Sequence, residues 1–162
     1  MIRLQLQPEP LLQAEMPLPA TPPLRLRPDI GELDTLVGYI ENVAGQHSLP
    51  PADTRAITLA AEELFANTLR HSHPPATWIE FSLACDGNAA IAVYSDDAAE
   101  FDPTAYPEVD TSLPLDQRPI GGLGIHFIRR TMQTFRYRRD RGRNLITFCR
   151  SFNGSPSGAS AR

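Results

Sequence analysis

The sequence predicts an α/β two-layer sandwich, with a mixed, mainly antiparallel sheet backed by three helices. Two observations carry this. Apolar residues recur at helical spacing in three separate stretches, and alternating stretches come in pairs around tight-turn residues. A chain of 162 residues, 41% hydrophobic, is long enough for one domain with a buried core.

Leu24-Arg25-Leu26-Arg27 alternates and reads as the first strand. Asp29 and Glu32 form a capping-box pattern, and Ile30, Leu33, Val37, Ile40 and Ala44 repeat at helical spacing, which predicts a helix over about 30–46. Pro50-Pro51 breaks the chain, and Asp53 reads as the N-cap of a second helix over about 54–71. Ile57, Ala61, Leu64 and Thr68 face its core side; Glu63, Asn67 and His71 share an adjacent face. Pro74-Pro75 ends it. Ile79, Phe81 and Leu83 then alternate with Glu80 and Ser82, and Asp86-Gly87 turns into a return strand over 89–94 that delivers Asp96. Residues 103–120 hold four prolines and little periodicity, which reads as a functional loop. A third helix is expected over 124–134, with Ile125, Ile128 and Met132 inward. A second hairpin pairs 135–139 with 144–148 around Asp140-Arg141-Gly142-Arg143. Residues 1–23, rich in proline, read as a mobile leader, 24–150 as the domain, and 151–162, rich in Ser and Gly, as a disordered tail.

The 15 basic and 19 acidic residues give a net charge of −4, so direct nucleic-acid binding is not expected. Every basic side chain apart from histidine is arginine, which excludes a Walker A loop and Schiff-base chemistry. No apolar run nears the roughly 18 residues of a membrane span, and prolines interrupt any signal-peptide core, so a cytoplasmic protein is expected. Cys85 and Cys149 read as buried thiols in apolar strands. His71 and His73 lack a third partner for a metal, and the arginines at 136, 138, 139, 141 and 143 read as a solvated hairpin face.

Three pieces carry chemistry. Glu63 and Asn67 are one turn apart, offset by roughly 40° around a helix, so both point the same way. A carboxylate beside an amide oxygen makes a magnesium corner, where one group ligates the ion and the other takes a proton. A mid-helix Asn is poor for helix stability, and ligation of Mg²⁺ compensates. Glu62 is the rival carboxylate, but it lies about 100° away and has no Asn one turn on. Asp96 opens the second piece, Asp96-Asp97-Ala98 leading to Phe101-Asp102-Pro103. The third is Gly121-Gly122-Leu123-Gly124, which opens a helix and lets phosphate approach bare backbone N–H groups at the positive end of its dipole. A Rossmann reading fails because Phe127 stands at the third glycine position.

In this order the pieces resemble the N, G1 and G2 boxes of the GHKL ATPases over about residues 24–150. The run Gly121 to Arg130 resembles the anti-sigma-factor serine/threonine kinases of bacterial partner-switching systems. The resemblance implies the Bergerat-type ATP-binding fold, with ATP and Mg²⁺ as cofactors. It implies that Glu63 is the catalytic base, that Asn67 ligates Mg²⁺, and that Asp96 accepts a hydrogen bond from the adenine amino group. Phe101 would pack near the base. Gly122, Leu123 and Gly124 would contact phosphate, and Arg118 would close on the terminal phosphate as the 103–120 lid folds down. Ala98 departs from the pattern, since the box has Gly there; if the turn needs positive φ, alanine costs about 1 kcal/mol or more. The implied substrate is a serine or threonine of a STAS-domain antagonist, the second partner a sigma factor or comparable regulator, and the assembly a homodimer. Two alternatives stand beside this. One is a non-catalytic ATP-binding module acting by contact. The other, a histidine-kinase catalytic domain, needs an upstream phospho-acceptor hairpin, for which about 28 mostly proline-rich residues leave no room.

Overall fold

The computed structural model describes residues 22–86, 88–107, 112 and 122–152. The expectations for the leader up to residue 21, for Gly87, for most of the lid including Arg118, for Gly121 and for the tail from 153 lie outside those residues.

The elements follow in the order β1 (Leu24–Leu26), α1 (Leu33–Gln46), α2 (Pro51–His71), β2 (Ile79–Asp86), β3 (Ala89–Asp96), α3 (Leu123–Thr131), β4 (Thr134–Asp140) and β5 (Arg143–Ser151). The strands form one five-stranded sheet in the order β1-β2-β3-β5-β4. Every neighbouring pair is antiparallel, so the expected mixed sheet is antiparallel throughout among the described residues.

Side chains alternate across a strand, so register decides which residues reach the helices. The pairings Leu26↔Ile79, Ile79↔Asp96, Asp96↔Asn144 and Asn144↔Arg139 set one row on the helix-facing side. The next row on that side is Leu24, Phe81, Tyr94, Ile146 and Tyr137. Phe81, Tyr94 and Phe148 are sealed from solvent against Leu36, Ile40, Ile57, Leu64, Phe65 and Ile128 of the helices. Full burial of each such side chain contributes about 1.5–3 kcal/mol, so the apolar alternation alone selects this register over a one-residue slip.

Several local expectations shift. Asp29 caps a short 3₁₀ turn over Ile30–Glu32, accepting from Gly31 N at 2.7 Å, while Glu32 pairs with Arg27 instead of closing a capping box. Ile30 therefore points outward, 67% exposed. Asp53 is not the cap of α2: Pro50 precedes the helix, Pro51 opens it, and Asp53 sits buried in the first turn against Arg150, with Oδ1 2.6 Å from Nε. Proline suits that first position, where no intrahelical N–H bond is lost. The residues from 103 begin as a 3₁₀ turn over Pro103–Ala105, and Arg129 of α3 donates to the carbonyls of Thr104 and Tyr106, each at 2.6 Å. β5 continues through Ser151, one residue past the expected end of the domain. Both cysteines are half-buried free thiols, more accessible than expected.

The 21 residues of α2 span about 32 Å at 1.5 Å per residue. One end meets Arg150 through Asp53 and the other meets Asp96 through Thr68. The helix is thus fixed by polar contacts at both ends and by apolar packing between them.

Candidate functional site

Asn67, Thr68 and His71 from the last turns of α2 meet Asp96 at the end of β3, the segment Ala98–Phe101, and Asn144 at the start of β5. Together they line a narrow cleft with about 50 Å³ of room. One turn back along α2, Glu63 lies against the start of α3. A Cβ on Gly124 would run into the Glu63 carboxyl group and the carbon before it. The structure therefore brings Asn67, Asp96 and Phe101 into one cleft and Glu63, Gly122, Leu123 and Gly124 to its neighbouring helix start.

The start of α3 has the geometry an anion needs. Gly122 takes φ 80°, a left-handed conformation that favours glycine, and caps the helix with its carbonyl accepting from His126 N at 2.9 Å. Leu123 begins the helix and is 54% exposed. Leu123 and Gly124 occupy the first turn, whose N–H groups have no partner within the helix. Gly124 adds no side chain, and the Glu63 side chain takes the room instead.

Asn67 is 7% exposed, and among the described residues no hydrogen bond holds its amide. Asn67 lines the cleft, where its amide is open to a ligand. Its carbonyl oxygen suits a hard cation. Among the described residues no group of three His, Cys, Asp or Glu side chains could hold a metal ion.

Asp96, 3% exposed, sits in a fully built network. Its Oδ1 accepts from Ala98 N at 3.0 Å and from Asn144 Nδ2 at 2.7 Å; its Oδ2 accepts from Thr68 Oγ1 at 2.9 Å. Thr68 Oγ1 has one proton and two acceptors, Leu64 O at 3.2 Å and the nearer, charged Asp96 Oδ2; with the proton on Asp96, Tyr94, 2.7 Å away, donates to Thr68. Burial pushes the Tyr94 phenol well above its ordinary range, which suits a hydroxyl held as a donor. A carboxylate offers about four lone-pair sites. Three are filled, and one on Oδ2 is left for a ligand donor.

Ala98 does not carry the strain its position suggested. Among the described non-glycine residues only Ser48 and Arg141 have positive φ, so Ala98 occupies ordinary backbone. Asp97 acts as a clip. Its carboxylate accepts from the backbone N–H groups of Thr77 and Trp78 at 2.7 and 3.1 Å and from the Thr77 hydroxyl. Partial burial pushes its pKa up, but these hydrogen bonds outweigh that and hold the carboxyl below its usual range. Phe101 packs edge-on to Tyr106, with ring centres 6.1 Å apart, and lines the cleft.

Two site residues escaped the sequence reading. Asn144 is 2% exposed and contacts five groups; its signal was a polar residue in phase with Ile146 and Phe148 on the inward side of a strand. Arg139, taken for part of a solvated face, shares the inward phase of Phe135 and Tyr137, while Arg136 and Arg138 point outward. Glu62 is separated from the site. It lines a groove of about 550 Å³ between α1 and α2, with Glu41, Arg55 and Leu59.

The family model of the histidine kinase-like ATPase domain matches residues 26–150, and the chain belongs to that family. No curated protein matches the chain. The fold and the family make it an ATP-binding module of the GHKL type. Among the described residues no helix is long and apolar enough to cross a membrane.

Proposed function

We propose that the protein is an ATP-dependent serine/threonine protein kinase of the anti-sigma type, which phosphorylates a STAS-domain antagonist and binds a sigma factor or comparable regulator as a homodimer. The observation that supports catalysis is the contact between Glu63 and Gly124, one helical turn from the unpartnered amide of Asn67. In this reading a base, a cation ligand and a phosphate-accepting helix start lie within one turn of α2 and the helix it touches.

In this reading the adenine amino group donates to the open site on Asp96 Oδ2. Guanine presents a carbonyl at that position and would face a carboxylate. The cleft holds a water or two, at about 30 Å³ each, so a purine has to widen it. Asn67 would hold Mg²⁺ through its amide oxygen, and the ion, when bound, would supply charge neutralisation for the phosphates. The start of α3 receives phosphate, and Glu63 accepts the proton of the attacking hydroxyl. Phosphoryl transfer is mainly positioning and charge neutralisation, so this short list of groups is sufficient. The free Ala98 backbone supports nucleotide binding, because no strain there has to be relieved.

The test is to mix the protein, Mg-ATP and its cognate STAS protein. Phosphoserine or phosphothreonine on the STAS protein is the expected result, with loss of the complex on a sizing column. The added charge of about −1.5 to −2 sits at the interface and weakens it. A stable complex without phosphate, under saturating ATP, would make the protein a non-catalytic module that acts by contact.

A further inference from the structure

We infer that Arg139 is a positioning residue that sets nucleotide specificity, acting through Asn144 on the acceptor Asp96. The inference rests on the reading of Asp96 as the base-recognising carboxylate.

The three residues stand side by side on neighbouring strands. Asp96 of β3 is directly opposite Asn144 of β5, which is directly opposite Arg139 of β4. Asn144 could in principle present either end of its amide to Asp96, and its neighbours decide. Its Oδ1 receives Arg139 NH1 at 2.8 Å, Tyr137 OH at 3.0 Å and Phe101 N at 3.2 Å. Its Nδ2 faces two acceptors, Asp96 Oδ1 at 2.7 Å and Ala99 O at 2.9 Å. The flipped amide would set an NH₂ against three donors and an oxygen against two acceptors. Arg139 is the one charged donor of the three, so it contributes most to the choice.

The same NH1 donates to Ala98 O at 2.9 Å. Arg139 therefore holds both ends of one arrangement: the amide that donates to Asp96 and the segment 98–101 that walls the cleft. With the amide fixed, Asp96 Oδ1 is saturated by donors and only Oδ2 remains for the base. Without the charged donor the amide oxygen keeps only Tyr137 and Phe101, so a turned amide with its carbonyl toward the cleft becomes less costly, and that end accepts from the ring N–H and amino groups of guanine. Arg139 thereby excludes an alternative donor–acceptor pattern, which is how a buried polar site rejects the wrong ligand.

Calorimetry with Mg-ATP and Mg-GTP on the parent protein, Arg139→Met and Arg139→Lys tests this. The parent should favour ATP. Arg139→Met should bind ATP about tenfold more weakly while GTP binding holds or rises, so the ATP:GTP ratio falls at least tenfold, and Arg139→Lys should recover part of it. Any transfer activity should show a raised KM for ATP with kcat unchanged. A merely structural role would weaken both nucleotides together and leave the ratio at the parent value; that result overturns the inference while the Asp96 reading stands. A parent protein that does not discriminate ATP from GTP would overturn both. Arg139 is only half-buried, so both variants should fold, and their melting curves check it.

Discussion

The Glu63 side chain fills the space beside Gly124 that any larger residue there would need. Helix α2 thus reaches the start of α3 through a carboxylate, and Gly124 is required by that neighbour and not by its own backbone, since among the described residues of this turn only Gly122 carries positive φ.

Gly124→Ala should therefore separate stability from function. The collision is with the mobile end of Glu63, which can swing away, and alanine is preferred over glycine in a helix by about 1 kcal/mol. The melting midpoint should hold or rise. ATP turnover should fall about a hundredfold, the order of loss that follows from misplacing a catalytic group by about 1 Å. Full turnover in a folded Gly124→Ala protein would mean that Glu63 works from another position.

Asn67→Ala should weaken Mg-ATP binding at least about tenfold, or about 1.4 kcal/mol. The alanine removes the amide oxygen and leaves the fold intact, because no protein hydrogen bond among the described residues depends on it. Titration calorimetry at saturating magnesium reads the change. Unaltered affinity in the folded variant would remove Asn67 from the cation site.

The two adjacent glutamates should behave differently. Glu63→Gln keeps shape and loses the base, so ATP should still bind while transfer falls by about two to four orders of magnitude. Glu62→Gln should leave turnover at the parent rate, because Glu62 lines the groove between α1 and α2. Single-turnover assays of both variants decide between them, and the reverse pattern would exchange their roles.

The residues that read clearly in the sequence were those whose neighbours lie along the chain. Glu63 with Asn67 needs only helical spacing, and Gly122 with Gly124 needs only a turn. The inward strand residues Ile79, Phe81 and Leu83 needed only alternation, and all three are buried. Asn144 and Asp53 did not read clearly because their partners are distant in sequence: Asp96 is 48 positions from Asn144, and Asp53 is 97 from Arg150; Arg139 is only five positions from Asn144, but it stands in a run of arginines whose inward phase the register decides. Strand order and register create those contacts, and neither is written in local periodicity. Asp53 also shows how a local signal misleads. Asp near a helix start suggests a cap, but Pro50-Pro51 already fixes the first turn, and the carboxylate is drawn inward by Arg150.

That pair supports a stability prediction. Asp53 is 8% exposed, and Arg150 binds it while also donating to Thr131 O. Arg150→Met leaves the carboxylate without its charged partner and should cost about 2–3 kcal/mol, read as a lower urea midpoint. Adding Asp53→Asn should recover part of the loss, since the two sites are coupled. Additive losses in the double variant would show that the pair contributes nothing beyond its separate side chains.

Cys85 should be slow to react while the protein is folded. Burial pushes its thiol up to about 11, and the Asp86 carboxylate adds to the shift. Burial raises Cys149 as well. The thiolate is the reactive form. Against an ordinary value of 9.0, the folded protein at pH 8 holds about a hundredfold less Cys85 thiolate than the unfolded chain. Alkylation by iodoacetamide, followed by peptide mapping, should be slower by about that factor than in urea, and should climb about tenfold per pH unit until pH 11. The linkage has a definite sign. A folded pKa above the unfolded one contributes stability that is complete below pH 9 and is lost as pH rises from 9 through 11. Equal labelling rates for folded and unfolded protein at pH 8 would show that the strand end carrying Cys85 opens faster than the reagent reacts.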